Sequence, residues 1–484
     1  MRNSTRAWVA LPVLLGAFFF TSMCVRADGP EPLTLSSFGA AGDDATDDTT
    51  ALQRAFSAAK GRCLDGEGRK YRVRGTLRAS EDFCLVNTRL RQDVAKFDTR
   101  QWIRGTCPVE RDPARAISCG DPAMPGDLPR GLSEYLFTRT LLIRPEAAHP
   151  PISVTLRKVA IDRGDDPASG ARSDAAGIWI GNARKVELDD VEVTGAGKGF
   201  GLMLVDAANV TVRRLWLHDL TWAPYAGDAP LAIDRVRAQG WNTAPIREFR
   251  EAGRQGVSAN GFHGMRVQEQ LTCLMIVNSH TVLLDRPRVD GCRARFAEGD
   301  IPWQADGIAV GQSSSHIRIM RPVVNDTWEG IDVVGGGSGV SDLLITGAQI
   351  TNSFGYGVKW GYSLQDPTLV DSAISQSGLA GVVIYGPVKR ANLSNVRIDG
   401  VGSVRLGRSL QRPWQQERAG VLVEPGSSAA TRELHPAMVS LSKVTVEGGG
   451  NCRFGLLNLT PERLFRDDIK ASGCEHARQD TLTR

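Results

Sequence analysis

The sequence predicts an all-β solenoid, a parallel β-helix. A short pattern of Gly, apolar, any, apolar recurs from residue 177 onward. Its close spacings define a unit of about 24 residues, and longer gaps carry insertions. Each unit holds further alternating segments, such as Lys185-Val-Glu-Leu-Asp-Asp-Val-Glu-Val, whose period of two puts one face inward and one outward. Several short strands per unit at a fixed period stack as coils about 4.8 Å apart.

The elements follow in order. Arg2 and Arg6 precede an apolar run from Ala7 to Phe20, and small residues flank Arg26, so residues 1–27 read as a secretory signal peptide. Residues 28–484 form one domain, with an N-terminal cap and first coils over 28–150 and regular coils over 151–484. Asp47 to Lys60 reads as a short capping helix with Ala51, Ala55, Phe56 and Ala59 on one face and Gly61 as its stop. The stretch 91–135 is irregular, and 221–262 is a long insertion with Trp222, Tyr225 and Trp241. The coils begin Gly177-Ile-Trp-Ile, Gly201-Leu-Met-Leu, Gly264-Met-Arg-Val and Gly307-Ile-Ala-Val. They continue at Gly330, Gly357, Gly381, Gly420 and Gly455.

Composition excludes several classes. The chain has 484 residues, 42% apolar and 23% charged, too apolar and too weakly charged for a disordered chain. A net charge of +4, from 58 basic and 54 acidic residues, does not make a nucleic-acid groove. No run of about 20 apolar residues crosses a bilayer, so no membrane association is expected once the signal peptide is removed. Outside the leader the cysteines fall into neighbouring pairs, Cys63/Cys84, Cys107/Cys119, Cys273/Cys292 and Cys452/Cys474. Neighbour pairing as disulfides is the expectation for an exported chain, among the 105 connectivities that eight cysteines allow. No pair has the close spacing of a zinc site.

The segment Ser37-Phe-Gly-Ala-Ala-Gly-Asp-Asp-Ala-Thr-Asp-Asp-Thr-Thr-Ala-Leu-Gln-Arg-Ala-Phe resembles the N-terminal signature of the pectate-lyase-like superfamily. That resemblance implies a single-stranded right-handed parallel β-helix acting on carbohydrate. The superfamily includes hydrolases, lyases, epimerases and tailspikes, so the resemblance does not name one reaction. The motif phase is similar to that of the polygalacturonases, glycoside hydrolase family 28. Gln304-Ala-Asp-Gly stands where they carry Asn-Thr-Asp-Gly, and Trp328-Glu329 where they carry an acid pair. Gly355-Tyr-Gly replaces their Gly-His-Gly, and Val383-Ile-Tyr their Arg-Ile-Lys. The phase is kept while half the chemistry changes.

Stacking the repeats in phase gives two polar columns. One runs Ala176, Phe200, His263, Asp306, Glu329, Tyr356, Ala380, Ala419, Phe454. The other runs Trp179, Met203, Arg266, Ala309, Asp332, Lys359, Val383, Leu422, Leu457. Both are apolar at the ends and polar or ionisable in the middle coils. Asp306 and Glu329 fall side by side, and two carboxylates that close cannot both ionise freely, so one pKa should rise. That is a way to hold a general acid beside a base.

The first expectation is an exported monomeric hydrolase, periplasmic or secreted, cleaving an acidic or mixed polysaccharide in a lateral groove. Asp306 and Glu329 form its carboxylate pair, Asp332 assists, and Lys359 and Arg266 hold substrate. Trp303, Trp328 and Tyr356 offer flat faces to sugars, and packing explains them equally well. The alternative is a lyase or C5-epimerase using Lys359 or His263 in proton transfer. No cofactor is expected for the hydrolase; under the lyase reading Ca²⁺ would sit on Asp306, Glu329 and Asp332. A third reading is a non-catalytic polysaccharide-binding protein whose outward residues are polar because water touches them. Trp360 has the inward phase of a core residue, His280 and His316 are expected to be structural, and Gly335-Gly-Gly-Ser-Gly is expected to be a turn.

Overall fold

Every paired strand in the structure runs parallel to its neighbours, and the pairings fall into three ladders. The computed structural model describes residues 33–93, 139–146, 149–163, 176–195, 200–220, 272–292, 306–311, 313–402, 418–426, 434–461 and 464–480. The expected signal peptide, the insertion at 221–262 and the pair Cys107/Cys119 lie outside the described residues, as does most of 91–135. The described strands all belong to one unit, Pro32–Arg484.

The first ladder carries the Gly-apolar motif. It joins Leu202–Arg213, Thr272–Val277, Asp306–Val310, Ile331–Val334, Val358–Gly361, Val382–Tyr385, Ala419–Glu424 and Phe454–Asn458. The second joins His280–Asp285, Ser314–Met320, Val340–Thr346 and Leu364–Ser375. The third joins Trp216–His218, Arg288–Asp290, Val323–Thr327 and Gln349–Ser353. Each coil contributes to all three in turn, which is the expected parallel β-helix. Corners between the second and third ladders are turned by residues with positive φ, among them Asp190, Arg214, Arg286, Arg321, Asp371 and Asn395. Each such L-residue costs about 1–2 kcal/mol, and stacking of the flanking strands offsets it.

A close approach explains the Gly column. A Cβ on Gly307 would lie 2.6 Å from the Gly330 carbonyl oxygen, and one on Gly330 would lie 2.5 Å from that of Gly357. Only glycine lets the coils close to strand spacing there. The inward apolar residues of all three ladders form one continuous core. Trp360 is fully buried in it, as its phase predicts.

The expected helix is present as α1, Thr49–Ala59, with Ala51, Leu52, Ala55, Phe56 and Ala59 buried. Phe56 packs on Phe83 with ring centroids 4.8 Å apart. The left-handed stop begins one residue before the expected glycine, at Lys60, and continues through Gly61. The acids of the N-terminal signature fold this corner. Buried Asp48 accepts from the backbone N–H of Ala41 at 2.6 Å and of Gly42 at 3.1 Å. Asp43 accepts from the N–H of Thr46 and Ala45, which holds its carboxyl down at about 2. The signature is therefore turn chemistry, not catalysis.

Three of the expected disulfides are formed: Cys63–Cys84, Cys273–Cys292 and Cys452–Cys474. They fit an oxidising compartment. Among the described residues no helix is long and apolar enough to cross a membrane.

Candidate functional site

Three consecutive coils of the first ladder bring the candidate residues together. Ala309 faces Asp332, and Asp332 faces Lys359, in register. Ile308, Ile331, Val333, Val358 and Trp360 point into the core, so Asp332 and Lys359 point out of it by strand alternation. The N–H of Gly307 donates to the Glu329 carbonyl at 2.8 Å, which seats Asp306 and Glu329 on adjacent coils.

Lys359 joins the acids. Its Nζ donates to Glu329 Oε2 at 2.8 Å and to Asp332 Oδ2 at 3.3 Å. One carboxylate oxygen each from Asp306, Glu329 and Asp332 lies within 4.8 Å of the others. Asp306 Oδ1 is buried with no hydrogen-bond partner among the described residues. All four side chains are shielded: Asp306 is 4% exposed, Glu329 1%, Asp332 2% and Lys359 4%. The side chains expected to line a lateral groove are thus buried. The outer face of the neighbouring coils is also apolar and buried on both sides. Leu142, Trp179, Phe200, Met203, Met275 and Ala309 cluster on the N-terminal side. Tyr356, Ala380, Val383, Tyr385, Leu422 and Phe454 cluster on the C-terminal side.

Burial and mutual repulsion set the protonation states. Burial pushes the Asp306 carboxyl up to about 8, with the Asp332 charge adding and Lys359 opposing. Asp306 therefore keeps its proton near neutrality, the rise expected for one member of the pair. Burial also raises Glu329, against the pull of Lys359. Burial works against the Lys359 ammonium, but the charges of Asp332, Glu329, Tyr385 and Asp306 together outweigh it and hold Lys359 protonated. The site is thus a buried ammonium in contact with a cluster of acids, two of which, Asp306 and Glu329, burial shifts toward the protonated form.

Tyr385 belongs to this site and was not among the expected residues. Burial raises its phenol well above the usual range. Tyr385 faces Gly361 in register. A Cβ on Gly361 would lie 2.2 Å from Tyr385 Cζ, so the missing side chain makes room for the ring. The legible signal was parity: Tyr385 lies two residues beyond outward Val383 on the strand that follows Lys359.

Other expected residues are distributed differently. His263, Arg266 and Trp303 lie outside the described residues. The ladder seats assigned to His263 and Arg266 are filled by Thr272, which faces Asp306, and Met275, which faces Ala309. The coil after Gly201 is Cys273-Leu-Met-Ile, not Gly264-Met-Arg-Val, and its cysteine stands where the other coils have glycine. Disulfide bonding to Cys292 gives that cysteine its own reason to be there. Tyr356 is 8% exposed and packs in the C-terminal apolar cluster, with Trp328 half-buried against it. Both pack against this cluster. His280 bonds Ser315 and His316 bonds Asp342 on the second ladder, away from the acids. Gly336–Ser338 is a single 3-10 turn, as expected for the glycine run.

No family model matches the chain, and no curated protein matches it. Solved structures do. The A-module of mannuronan C-5 epimerase AlgE6 from Azotobacter vinelandii aligns with TM-score 0.56 at 13% identity, over 92% of this chain and 95% of that one. The A-module of AlgE4 from the same organism aligns with TM-score 0.54 at 15% identity, over 92% and 97%. Endo-xylogalacturonan hydrolase from Aspergillus tubingensis aligns with TM-score 0.47 at 12% identity, over 90% and 98%. Identities this low speak for the fold alone. The chain is a right-handed parallel β-helix, the fold that its N-terminal resemblance to the pectate-lyase-like superfamily implies.

Proposed function

We propose that this chain is an exported, monomeric, polysaccharide-active enzyme that moves the C5 proton of a uronate residue, as an epimerase or a lyase. The observation that carries the reading is the contact of a buried ammonium, Lys359, with a cluster of three buried acids. Asp306, at about 8, keeps a proton to donate to a uronate carboxyl group. Lys359 supplies the positive charge that stabilises negative charge developing on that group. Glu329, in its ionised form beside Lys359, takes the C5 proton, and Asp332 holds Lys359 charged; solvent then returns a proton to the opposite face of C5 in an epimerase, or the C4 oxygen leaves in a lyase. Lys359 is too firmly protonated to act as the base itself. The C-5 epimerase activity named for the two similar modules supports the same substrate class.

The spacing of the acids speaks against an inverting hydrolase. Carboxylate oxygens within 4.8 Å are closer than the about 6.5–9.5 Å of an inverting glycosidase and nearer the about 5–5.5 Å of a retaining one. Asp306 and Glu329 also touch each other instead of flanking a space for a sugar linkage. The near-complete burial of the cluster favours a second reading, a non-catalytic carbohydrate-binding protein whose ion network is structural.

The test is incubation of the mature protein with mannuronan, other uronate polymers and neutral polysaccharides in D₂O. Either deuterium at C5 without ultraviolet absorbance, marking an epimerase, or an ultraviolet-absorbing unsaturated product, marking a lyase, is expected, and either should disappear in Asp306→Asn. New reducing ends with neither C5 deuterium nor ultraviolet absorbance would restore the hydrolase. Binding without any turnover would establish the non-catalytic reading.

A further inference from the structure

We propose that Lys359 is the resident cation of this centre, standing where a divalent metal would otherwise bind. Three carboxylates that bring one oxygen each within 4.8 Å make a donor set of the size that Ca²⁺ takes, with its ligands at about 2.3–2.6 Å. The chemistry of that set fits a hard cation. The Lys359 side chain does not leave it free. Its Nζ is 2.8 Å from Glu329 and 3.3 Å from Asp332, with side chains 5%, 1% and 2% exposed. A divalent ion on these oxygens would meet an ammonium at contact distance, in surroundings that screen the repulsion poorly.

The arrangement of charge agrees, because the Lys359 ammonium contacts two of the three carboxyl groups directly. The spare donor is also in place. Asp306 Oδ1, on a side chain more than nine-tenths buried, has no partner among the described residues. Removal of the ammonium would therefore expose a ready oxygen site. Calcium does not fit this centre as the chain stands, and the built-in ammonium takes its electrostatic role.

This inference deepens the proposed reading of the site and uses its residues, so its test measures metal binding instead of turnover. Wild type, Lys359→Ala and Lys359→Ala/Asp332→Asn are titrated with Tb³⁺, read by luminescence sensitised through nearby aromatic rings. Ca²⁺ competition and Ca²⁺-dependent melting accompany each titration. Wild type is expected to show no saturable signal and no Ca²⁺-dependent shift. Lys359→Ala is expected to bind at least about tenfold more tightly than wild type, within the 10⁻⁴–10⁻³ M range of weak extracellular Ca²⁺ sites, and the double variant to lose that binding. Saturable Ca²⁺ binding by wild type that is lost in Asp332→Asn would overturn the proposal. So would a folded Lys359→Ala that binds no ion. Should Lys359→Ala fail to fold, the wild-type titration decides by itself. Metal binding that appears in Lys359→Ala while wild type turns over no polysaccharide would leave this inference standing and refute the enzymatic reading.

Discussion

Lys359 donates to Glu329 across one coil at 2.8 Å, and both side chains are sealed from solvent. A buried pair of this kind costs most when one partner is lost. Lys359→Met should destabilise the protein by about 3–5 kcal/mol, because Glu329 and Asp332 are left without a counter-charge. Denaturant unfolding measures the loss. The triple change Lys359→Met, Glu329→Gln, Asp332→Asn should recover much of it. Equal stability of wild type and Lys359→Met would show that the pair is not ionised.

Asp306 predicts a pH dependence with a definite sign. Its folded-state value of about 8 lies above its ordinary 3.8, so between these values the folded chain holds a proton that the unfolded chain does not. The stability associated with that proton is full below about pH 4, declines through the window, and is gone above about pH 8. Asp306→Asn has no such proton. Its stability relative to wild type should therefore rise from pH 5 to pH 9 by on the order of several kcal/mol, at 1.36 kcal/mol per pKa unit. Thermal or urea unfolding of both proteins at matched pH checks this. Parallel curves would mean that Asp306 ionises normally.

Gly361→Ala should destabilise by about 1–3 kcal/mol, the usual cost of overpacking, because its Cβ would collide with the Tyr385 ring. The same substitution in a Tyr385→Ala background should cost much less. A double-mutant cycle reads the difference, and additive costs would show that the two residues do not share this space.

Cys63 and Cys84 are register partners on adjacent coils, 21 residues apart in sequence. Replacing both by serine should cost about 3 kcal/mol, from the loop-closure entropy restored to the unfolded chain. Unfolding under non-reducing conditions measures it. An unchanged midpoint would mean that the first coils unfold independently of the rest.

The residues themselves determined the repeat, the all-β class, α1, the inward phase of Trp360 and the adjacency of Asp306, Glu329, Asp332 and Lys359. These follow from period and phase, which are local properties of the chain that strand alternation carries into space. Tertiary structure alone decided three other matters. Gly264-Met-Arg-Val and Cys273-Leu-Met-Ile both fit the apolar alternation after a long insertion, and only stacking selected the second. Tyr385 joined the site because the coil before it has no side chain at Gly361. The acids turned out to be buried, and that burial pushes the Asp306 carboxyl up to about 8. Burial is a collective result of how coils pack against one another, and no residue carries it in its own position along the chain.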